Sequence, residues 1–241
     1  MKQVLITGCT SGIGQQLALD YIKQGWQVWA CGRNEVALAE LKQQGGERLH
    51  PLCFDLNDTV AMAQAAEKIT ALDLAILNAG TCEYIDDPKQ FDGALFERVI
   101  NTNLIGLGYC LEKFLPLLNQ GGKLALMGSS ASYVALPRAE AYGASKAAVS
   151  YLARTLAIDL RAQGIKVSLI SPGFVKTPLT AKNDFPMPMS VEVTEASQAI
   201  MQGLARNQFD VHFPKKFTFI LKTLALLPEF CWQQLAARIQ K

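Results

Sequence analysis

The sequence predicts an α/β fold in which helices cover both faces of a doubly wound parallel sheet. Three observations support this prediction: short apolar runs alternate with segments of helical periodicity, the first apolar run ends in a glycine-rich turn, and polar or glycine residues directly follow the later runs. Repeated strand–helix units form parallel sheets with helices on both faces. Such sheets bind ligands at the carboxyl ends of their strands.

The elements follow in order along the chain. Strands are predicted over residues 4–7, 27–31, 49–54, 74–78, 122–128 and 165–171, and a short run at 210–213 supplies the seventh. Helices are predicted over residues 13–24, 35–43, 59–69, 91–118 and 142–162, and near 192–206. Since no linker rich in Pro, Ser or Gly precedes about residue 174, the whole chain, 1–241, is expected to form one domain.

Composition argues against several classes of protein. The 241 residues are half apolar, and 23 basic against 21 acidic residues give a net charge of +2, which does not indicate a nucleic-acid partner. No uncharged apolar run reaches the roughly 18 residues of a membrane span, and the first residues resemble a strand rather than a signal peptide. The six cysteines form no CxxC pair, which indicates free thiols in a reducing cytoplasm, and the two histidines predict no metal site.

The turn after the first strand has the chemistry of a nucleotide site. Residues 7–14 carry Gly8, Gly12 and Gly14 in GxxxGxG spacing, and a helix begins at once. Gly8 permits the tight turn, Gly12 lets the backbone approach a pyrophosphate, and Gly14 lets helix and strand pack closely. The predicted binding set also includes Thr10, Ser11 and Ile13. An ordinary glycine-rich turn is the alternative.

Residues at the ends of the next three strands are placed to contact the rest of a dinucleotide. Arg33 follows the second strand, where an arginine accommodates a ribose 2′-phosphate, so we expect NADP(H) to be preferred over NAD(H). A solvated loop arginine is the alternative. Asp55, before Leu56, is placed either to accept from the adenine amino group or to cap the next helix. The fourth strand ends in an amide that can tie strands together and in two small residues against which a ribose can lie: Asn78, Ala79 and Gly80.

Tyr142 and Lys146 form a candidate proton-transfer pair. Residues four apart on a helix project from the same face, so their phenol and ammonium groups stand side by side. A neighbouring cation lowers a phenol pKa from about 10 towards the range useful for acid–base catalysis. Ser129 ends the fifth strand 13 residues earlier and can share one substrate oxygen with Tyr142. A hydrolase is disfavoured, because Ser129 does not lie in a GxSxG turn.

The ordered set of motifs resembles the short-chain dehydrogenase/reductase family, whose single-domain members have a Rossmann-like fold. The matching pieces span residues 4 to about 180 and comprise the glycine turn, Asp55, Asn78-Ala79-Gly80, Asn103, Ser129, Tyr142, Lys146 and the segment 172–178. The resemblance implies an NAD(P)(H)-dependent oxidoreductase that transfers a hydride between NADP(H) and a carbonyl or alcohol substrate.

The resemblance also implies a role for each matching residue. Tyr142 is the general acid in carbonyl reduction and the base in alcohol oxidation, while Lys146 binds the nicotinamide ribose and lowers the phenol pKa. Ser129 orients the substrate carbonyl, with Ser130 as the alternative. Asn103 supports a proton relay to the lysine, or kinks its helix, or both. The segment after the sixth strand seats the nicotinamide carboxamide through Pro172, Gly173 and Thr177, and Val175 belongs to the same cofactor-binding set.

Two further segments are expected to cover the substrate or a partner. Residues 174–205 correspond to the family's mobile lid, whose Phe and Met side chains suggest an apolar or bulky substrate, although packing on the core is as good an explanation. The basic and apolar tail, 214–241, is either a terminal helix over the pocket or a subunit neighbour, which we favour, or a segment touching membrane lipid. The resemblance further suggests a homodimer or homotetramer through helices 91–118 and 142–162.

Two other functions are compatible with the same fold. A dinucleotide-sensing binding protein would have no need of Ser129, Tyr142, Lys146 and Asn103 together. A membrane-associated enzyme acting on a lipid-like substrate is suggested only by the tail. Because the fold hosts many chemistries, neither the substrate nor the direction of the reaction can be predicted from the sequence.

Overall fold

A computed structural model describes residues 1–239 and contains a seven-stranded sheet. Its strands are β1 (Gln3–Thr7), β2 (Gln27–Gly32), β3 (Leu49–Cys53), β4 (Leu72–Leu77), β5 (Leu118–Met127), β6 (Lys166–Pro172) and β7 (Asp210–Phe213). All pairs are parallel, in the order β3-β2-β1-β4-β5-β6-β7. The predicted α/β fold with a Rossmann-like, doubly wound sheet is confirmed.

Helices cover both faces of this sheet. They are α1 (Gly12–Lys23), α2 (Glu35–Gly45), α3 (Thr59–Ala66), α4 (Gly93–Ile100), α5 (Gly106–Phe114), α6 (Glu140–Asp159), α7 (Val193–Ala205), α8 (Lys215–Leu224) and α9 (Glu229–Ile239). One face packs on α3, α5 and α6 through residues such as Phe114 and Val149, and the other on α1, α2 and α7 through Leu17 and Ile200. Burial on both faces explains the unbroken apolar run of the central strand β1.

The strand order positions the ligand site. It reverses between β1 and β4, so the connections leaving these two strands run to opposite sides of the sheet. A crevice opens at such a point, outside the carboxyl ends of the strands. The glycine turn follows β1 and Asn78 follows β4, so both lie at this crevice.

The prediction of a single helix over residues 91–118 is wrong. The chain instead forms α4, a π-helical turn at Asn101–Ile105, α5 and a 3₁₀ turn at Leu115–Leu117. Pro116 cannot continue an α-helix, because it has no N–H group and its ring clashes with the preceding turn. Strand β5 then begins at Leu118, before the predicted start at residue 122, and its register against β4 shifts just after its first pair.

Helices in the predicted lid and in the predicted tail pack on the rest of the protein. Helix α7 buries Ala196 and Ile200 completely against the sheet, so the part of the predicted lid 174–205 that can cover a substrate ends near Glu192. In the tail, Trp232 of α9 is 4% exposed and packs against Val134 after β5. Residues 240–241 of the predicted tail lie outside the described residues. Along residues 1–239, no helix combines the length and the apolar character needed to cross a membrane.

Candidate active site

The turn between β1 and α1 leaves no room for a side chain at its three glycines. Gly8 and Gly12 adopt φ angles of +73° and +59°, which residues with a Cβ rarely adopt. A Cβ on Gly14 would lie 2.2 Å from the Gly8 carbonyl oxygen, so strand and helix pack backbone to backbone. The Asn78 Nδ2 donates to the Thr7 carbonyl at 2.9 Å and ties β4 to β1. The turn is therefore held rigidly beside the switch point.

A cavity of about 460 Å³ opens over this turn at the carboxyl edge of the sheet. The residues predicted to bind the cofactor line it, except for Gly14, which lies beneath the turn: Gly8, Thr10, Ser11, Gly12, Ile13, Arg33, Asp55, Leu56, Asn78, Ala79, Gly80, Tyr142, Lys146, Pro172, Gly173, Val175 and Thr177. Gly80 keeps part of the space open, since a Cβ there would come within 3.0 Å of the Asn103 Oδ1. The volume, the glycine cradle and the adjoining start of α1 fit a dinucleotide.

Arg33 and Asp55 form an exposed ion pair at one end of the cavity. The Arg33 Nη1 lies 3.1 Å from the Asp55 Oδ2, and the arginine side chain is 74% exposed. Burial raises the pKa of Asp55, but the Asn57 N–H and the Arg33 guanidinium outweigh it and leave the pKa below its ordinary value. Helix α3 is capped by Asp58, whose side chain accepts from the Ala61 N–H at 2.9 Å. The alternative that Asp55 caps this helix is therefore wrong.

Lys146 is buried between α6 and the end of β5. It is 4% exposed, and its Nζ donates to the Met127 carbonyl at 2.9 Å. Burial lowers the pKa of Lys146 to about 8, and the nearby Cys82 opposes this shift. The Lys146 Nζ also lies within 3.4 Å of the position a Cβ on Gly80 would take. The ammonium group therefore points along the wall of the glycine-lined cavity.

Burial also governs the Tyr142 phenol. It raises the pKa of Tyr142 above the ordinary value of 10.0, Cys82 raises it further, and a hydrogen bond with Ser129 lowers it in part. The Lys146 Nζ lies 5.8 Å from the phenol ring centroid and donates to Met127, and burial outweighs it; that Lys146 lowers the phenol pKa during the reaction stays a prediction. A phenol that keeps its proton at neutral pH suits proton donation to a carbonyl oxygen.

The geometry distinguishes the two serines at the end of β5. Ser129 is buried and caps a 3₁₀ turn, and its hydroxyl accepts from the Ala131 N–H at 3.1 Å. Ser130 lies within that turn and is equally buried. Of the two serines, Ser129 is the one that lowers the pKa of the Tyr142 phenol, and its role in orienting the substrate carbonyl stays a prediction.

Asn103 lies in the π-helical turn and is 2% exposed. Its Oδ1 accepts from the Thr81 N–H at 2.7 Å, and its Nδ2 donates to the Thr81 carbonyl at 2.9 Å and to the Ser145 Oγ at 3.0 Å. Asn103 thus joins the loop after β4 to helix α6, beside Lys146. The irregular helix is therefore present at Asn103, and the proton relay to Lys146 stays a prediction.

Two residues near the site were missed by sequence reasoning. They are Cys82 and Tyr84; a thiolate at Cys82 would raise the pKa of Tyr142 and of Lys146. Burial raises the pKa of both Cys82 and Tyr84. Their position just after the end of β4 was the available signal, because every strand end on this edge faces the same crevice.

A glycine turn at the switch point and a buried Tyr–Lys pair on the same cavity define the class of the protein as a dinucleotide-dependent oxidoreductase. The family model described as short chain dehydrogenase matches residues 2–186. The chain therefore belongs to the short-chain dehydrogenase/reductase family, as its motifs suggested.

Relatives and solved structures agree with this membership. An uncharacterized oxidoreductase of Myxococcus xanthus is 32% identical, with 99% of this chain and 98% of that protein covered. A 3beta-hydroxysteroid dehydrogenase of Mediterraneibacter gnavus is 34% identical over 76% of this chain and 69% of its own length. The closed form of a serine dehydrogenase complexed with NADP+ superposes with a TM-score of 0.79 at 26% identity, covering 86% of this chain and 93% of that one.

Proposed function

We propose that the protein is a single-domain, NADP(H)-dependent oxidoreductase that transfers a hydride between NADP(H) and a carbonyl or alcohol substrate. The observation that carries this proposal is that Tyr142 and Lys146 line the cavity over the glycine turn, next to Gly128, which precedes the buried Ser129. A binding protein that only senses a dinucleotide would not require this set.

In the reductive direction, each group of the chain has one task. When bound, the nicotinamide supplies the hydride that reaches the substrate carbonyl carbon. The Tyr142 phenol donates its proton to the carbonyl oxygen, and the Ser129 hydroxyl orients that oxygen. Lys146 holds the nicotinamide ribose, and Asn103 keeps Lys146 and helix α6 in place through its bonds to Thr81 and Ser145. The reverse sequence oxidises an alcohol, with the phenolate as base.

The preference for NADP(H) over NAD(H) is supported by Arg33. Its exposed guanidinium stands at the end of β2, paired with Asp55 only at the surface, where such pairs are weak. A ribose 2′-phosphate can therefore compete for it. The similar serine dehydrogenase, whose structure contains NADP+, adds support from outside the chain.

The exposed surface of α6 supports a proposal for the assembly of the protein, and its cysteines support a proposal for its cellular compartment. Helix α6 exposes Tyr151 and Ile158 to 74% each, which supports a homodimer or homotetramer through this helix and the 91–118 segment. All six cysteines are free thiols, which supports a cytoplasmic location. Size-exclusion chromatography with light scattering measures the assembly directly, and a monomer at micromolar concentration would contradict the first inference.

A contact made by the tail supports its interpretation as a helix that covers the substrate end of the site. The Trp232 indole donates to the Ala135 carbonyl at 2.8 Å, close to the serine turn after β5. The outward side of the tail exposes Phe219, Leu226 and Phe230, so contact with lipid is the second candidate. Co-sedimentation with anionic liposomes, with and without residues 214–241, decides between them.

Substitution of Tyr142 by phenylalanine tests the proposed function. Loss of the proton donor should lower turnover of NADPH with a carbonyl panel by about 10²–10⁴-fold, while NADPH binding measured by fluorescence titration stays unchanged. Unchanged turnover would exclude Tyr142 as the acid. A wild-type protein that binds NADPH but reduces no carbonyl would favour the sensing protein instead.

A further inference from the structure

Arg138 connects three segments around the substrate end of the site. Its guanidinium donates to Asp86, in the loop after β4, at 2.6 Å and 3.0 Å, and to Asp184, in the candidate lid, at 2.8 Å and 3.1 Å. Its backbone carbonyl accepts from the Ile85 N–H at 3.1 Å. The arginine side chain is only 28% exposed. Its φ of +65° is in the left-handed region that non-glycine residues rarely adopt, as occurs where the surrounding contacts fix the backbone.

The same arginine anchors a row of aromatic side chains. Its guanidinium lies 5.6 Å from the Tyr84 ring, and Phe185, next to Asp184, packs edge-on against Tyr84 with ring centroids 5.3 Å apart. Phe174 at the start of the lid stands 6.1 Å from Phe185. Phe174 stands in the chain between Gly173 and Val175, which both line the cavity, so this aromatic wall adjoins the site.

We propose that Arg138 is a lid-positioning residue, which clamps Asp184 to Asp86 and so holds the aromatic wall of Tyr84, Phe185 and Phe174 against the site. The substrates that this wall fits are apolar carbonyl compounds with a ring or a long hydrocarbon face, rather than small anionic ones. This inference rests on the proposed function for its choice of substrate but not for the clamp.

Charge supports that choice of substrate. A site for a small anion needs a cation with free donors. Arg138 directs its donors to two carboxylates, and the three groups together carry one excess negative charge. The aromatic rings offer area for apolar contact and edge-on or stacked packing with another ring. The wall therefore selects against carboxylate- or sulfonate-bearing aldehydes and for apolar ketones.

Limited proteolysis of the full-length protein tests the clamp independently of activity. The exposed Lys182 lies two residues before Asp184, so the rate of tryptic cleavage after Lys182, followed by mass spectrometry, reports release of the lid. Arg138→Ala and Asp184→Asn should each accelerate this cleavage about five-fold, the size expected for loss of a surface ion-pair network, and Arg138→Lys should have a smaller effect. The control is Arg98→Ala, which removes the exposed pair with Glu83 at 2.9 Å and should leave the rate unchanged. Equal rates in wild type and Arg138→Ala would overturn the clamp.

Kinetics test the substrate class. With apolar aryl ketones, Arg138→Ala and Phe185→Ala should raise KM about five-fold or more and leave the Kd for NADPH unchanged, whereas a general loss of folding would weaken both. The wild type should reduce these ketones with a higher kcat/KM than small anionic aldehydes. The reverse order would overturn the proposed substrate class. If the wild type reduced no carbonyl at all, the proposed function would fail, while cleavage after Lys182 would still decide whether Arg138 holds the lid.

Discussion

Replacing Lys146 with methionine should change how the stability of the protein depends on pH. Lys146 is 4% exposed, and burial lowers its pKa from the ordinary 10.5 to about 8. The unfolded chain keeps the ordinary value, so between these two pH values the unfolded state binds more protons than the folded state. The free energy of unfolding of the wild type therefore increases as the pH rises through this window. Below the window, burial of the charged ammonium destabilises the folded state most.

The size of the effect follows from the two pKa values. Their difference corresponds to a cost of about 3 kcal/mol at pH 7, which falls to about 1 kcal/mol at pH 9.5. Methionine has no charge and removes this dependence. It also leaves the Met127 carbonyl without its donor, but that loss is the same at both pH values. Between pH 7 and pH 9.5 the wild type should thus gain about 2 kcal/mol relative to Lys146→Met.

Urea unfolding followed by tryptophan fluorescence at the two pH values measures this difference. Lys166→Met, at an exposed position at the start of β6, is the matched control and should follow the wild type. If wild type and Lys146→Met changed in parallel, or if the wild type lost stability relative to the variant as the pH rose, the ammonium would not be desolvated and the reasoning would fail.

Three further tests, two of them with a control substitution, have expected outcomes. Gly14→Ala should weaken NADPH binding at least ten-fold and lower the melting temperature, because the added Cβ would lie 2.2 Å from backbone. The control is Gly108→Ala on α5, where an added Cβ meets nothing within 4 Å, and this change should stabilise the folded protein by about 0.5–1 kcal/mol. Arg33→Asp should lower the ratio of kcat/KM for NADPH to that for NADH at least ten-fold, and an unchanged ratio would refute the role of Arg33. Trp232→Ala should cost about 3–5 kcal/mol in urea unfolding, whereas Phe230→Ala, at a 64% exposed position, should cost little.

The parts of the site that could be predicted are those that depend on local pattern. Strand–helix units, glycine spacing and the i,i+4 pair are all readable over a few residues, and one topological rule then gathers the strand ends at a single edge. That is why a cavity lined by almost all the predicted cofactor residues could be expected. Where two local interpretations competed, only the structure could choose: Asp58 caps α3, and Asp55 pairs with Arg33 instead.

The parts that could not be predicted depend on pairs far apart in the chain. Arg138 meets Asp86 and Asp184 across 52 and 46 positions, and no spacing rule joins such residues. The pKa of Tyr142 is a similar case. The helix places a lysine one turn away, which argues for a lowered pKa, but burial by the surrounding segments raises it. How deeply a side chain is buried depends on the whole fold, so a local motif does not predict this contribution to its pKa.

Asn103 shows why the prediction of one long helix failed at this particular place. Apolar periodicity extends over residues 91–118, so the local pattern favours an unbroken helix. An α-helix interrupted by a π-helical turn changes the face on which the following residues lie. Two contacts occur at this turn. Asn103 bonds to Thr81 and Ser145. Gly106 packs closely on Leu56, since a Cβ added to Gly106 would lie 2.7 Å from the Leu56 side chain. Both contacts join the helix to walls of the cavity. Because proteins depart from local rules mainly at functional sites, the irregular turn is itself an argument that Asn103 belongs to the active site.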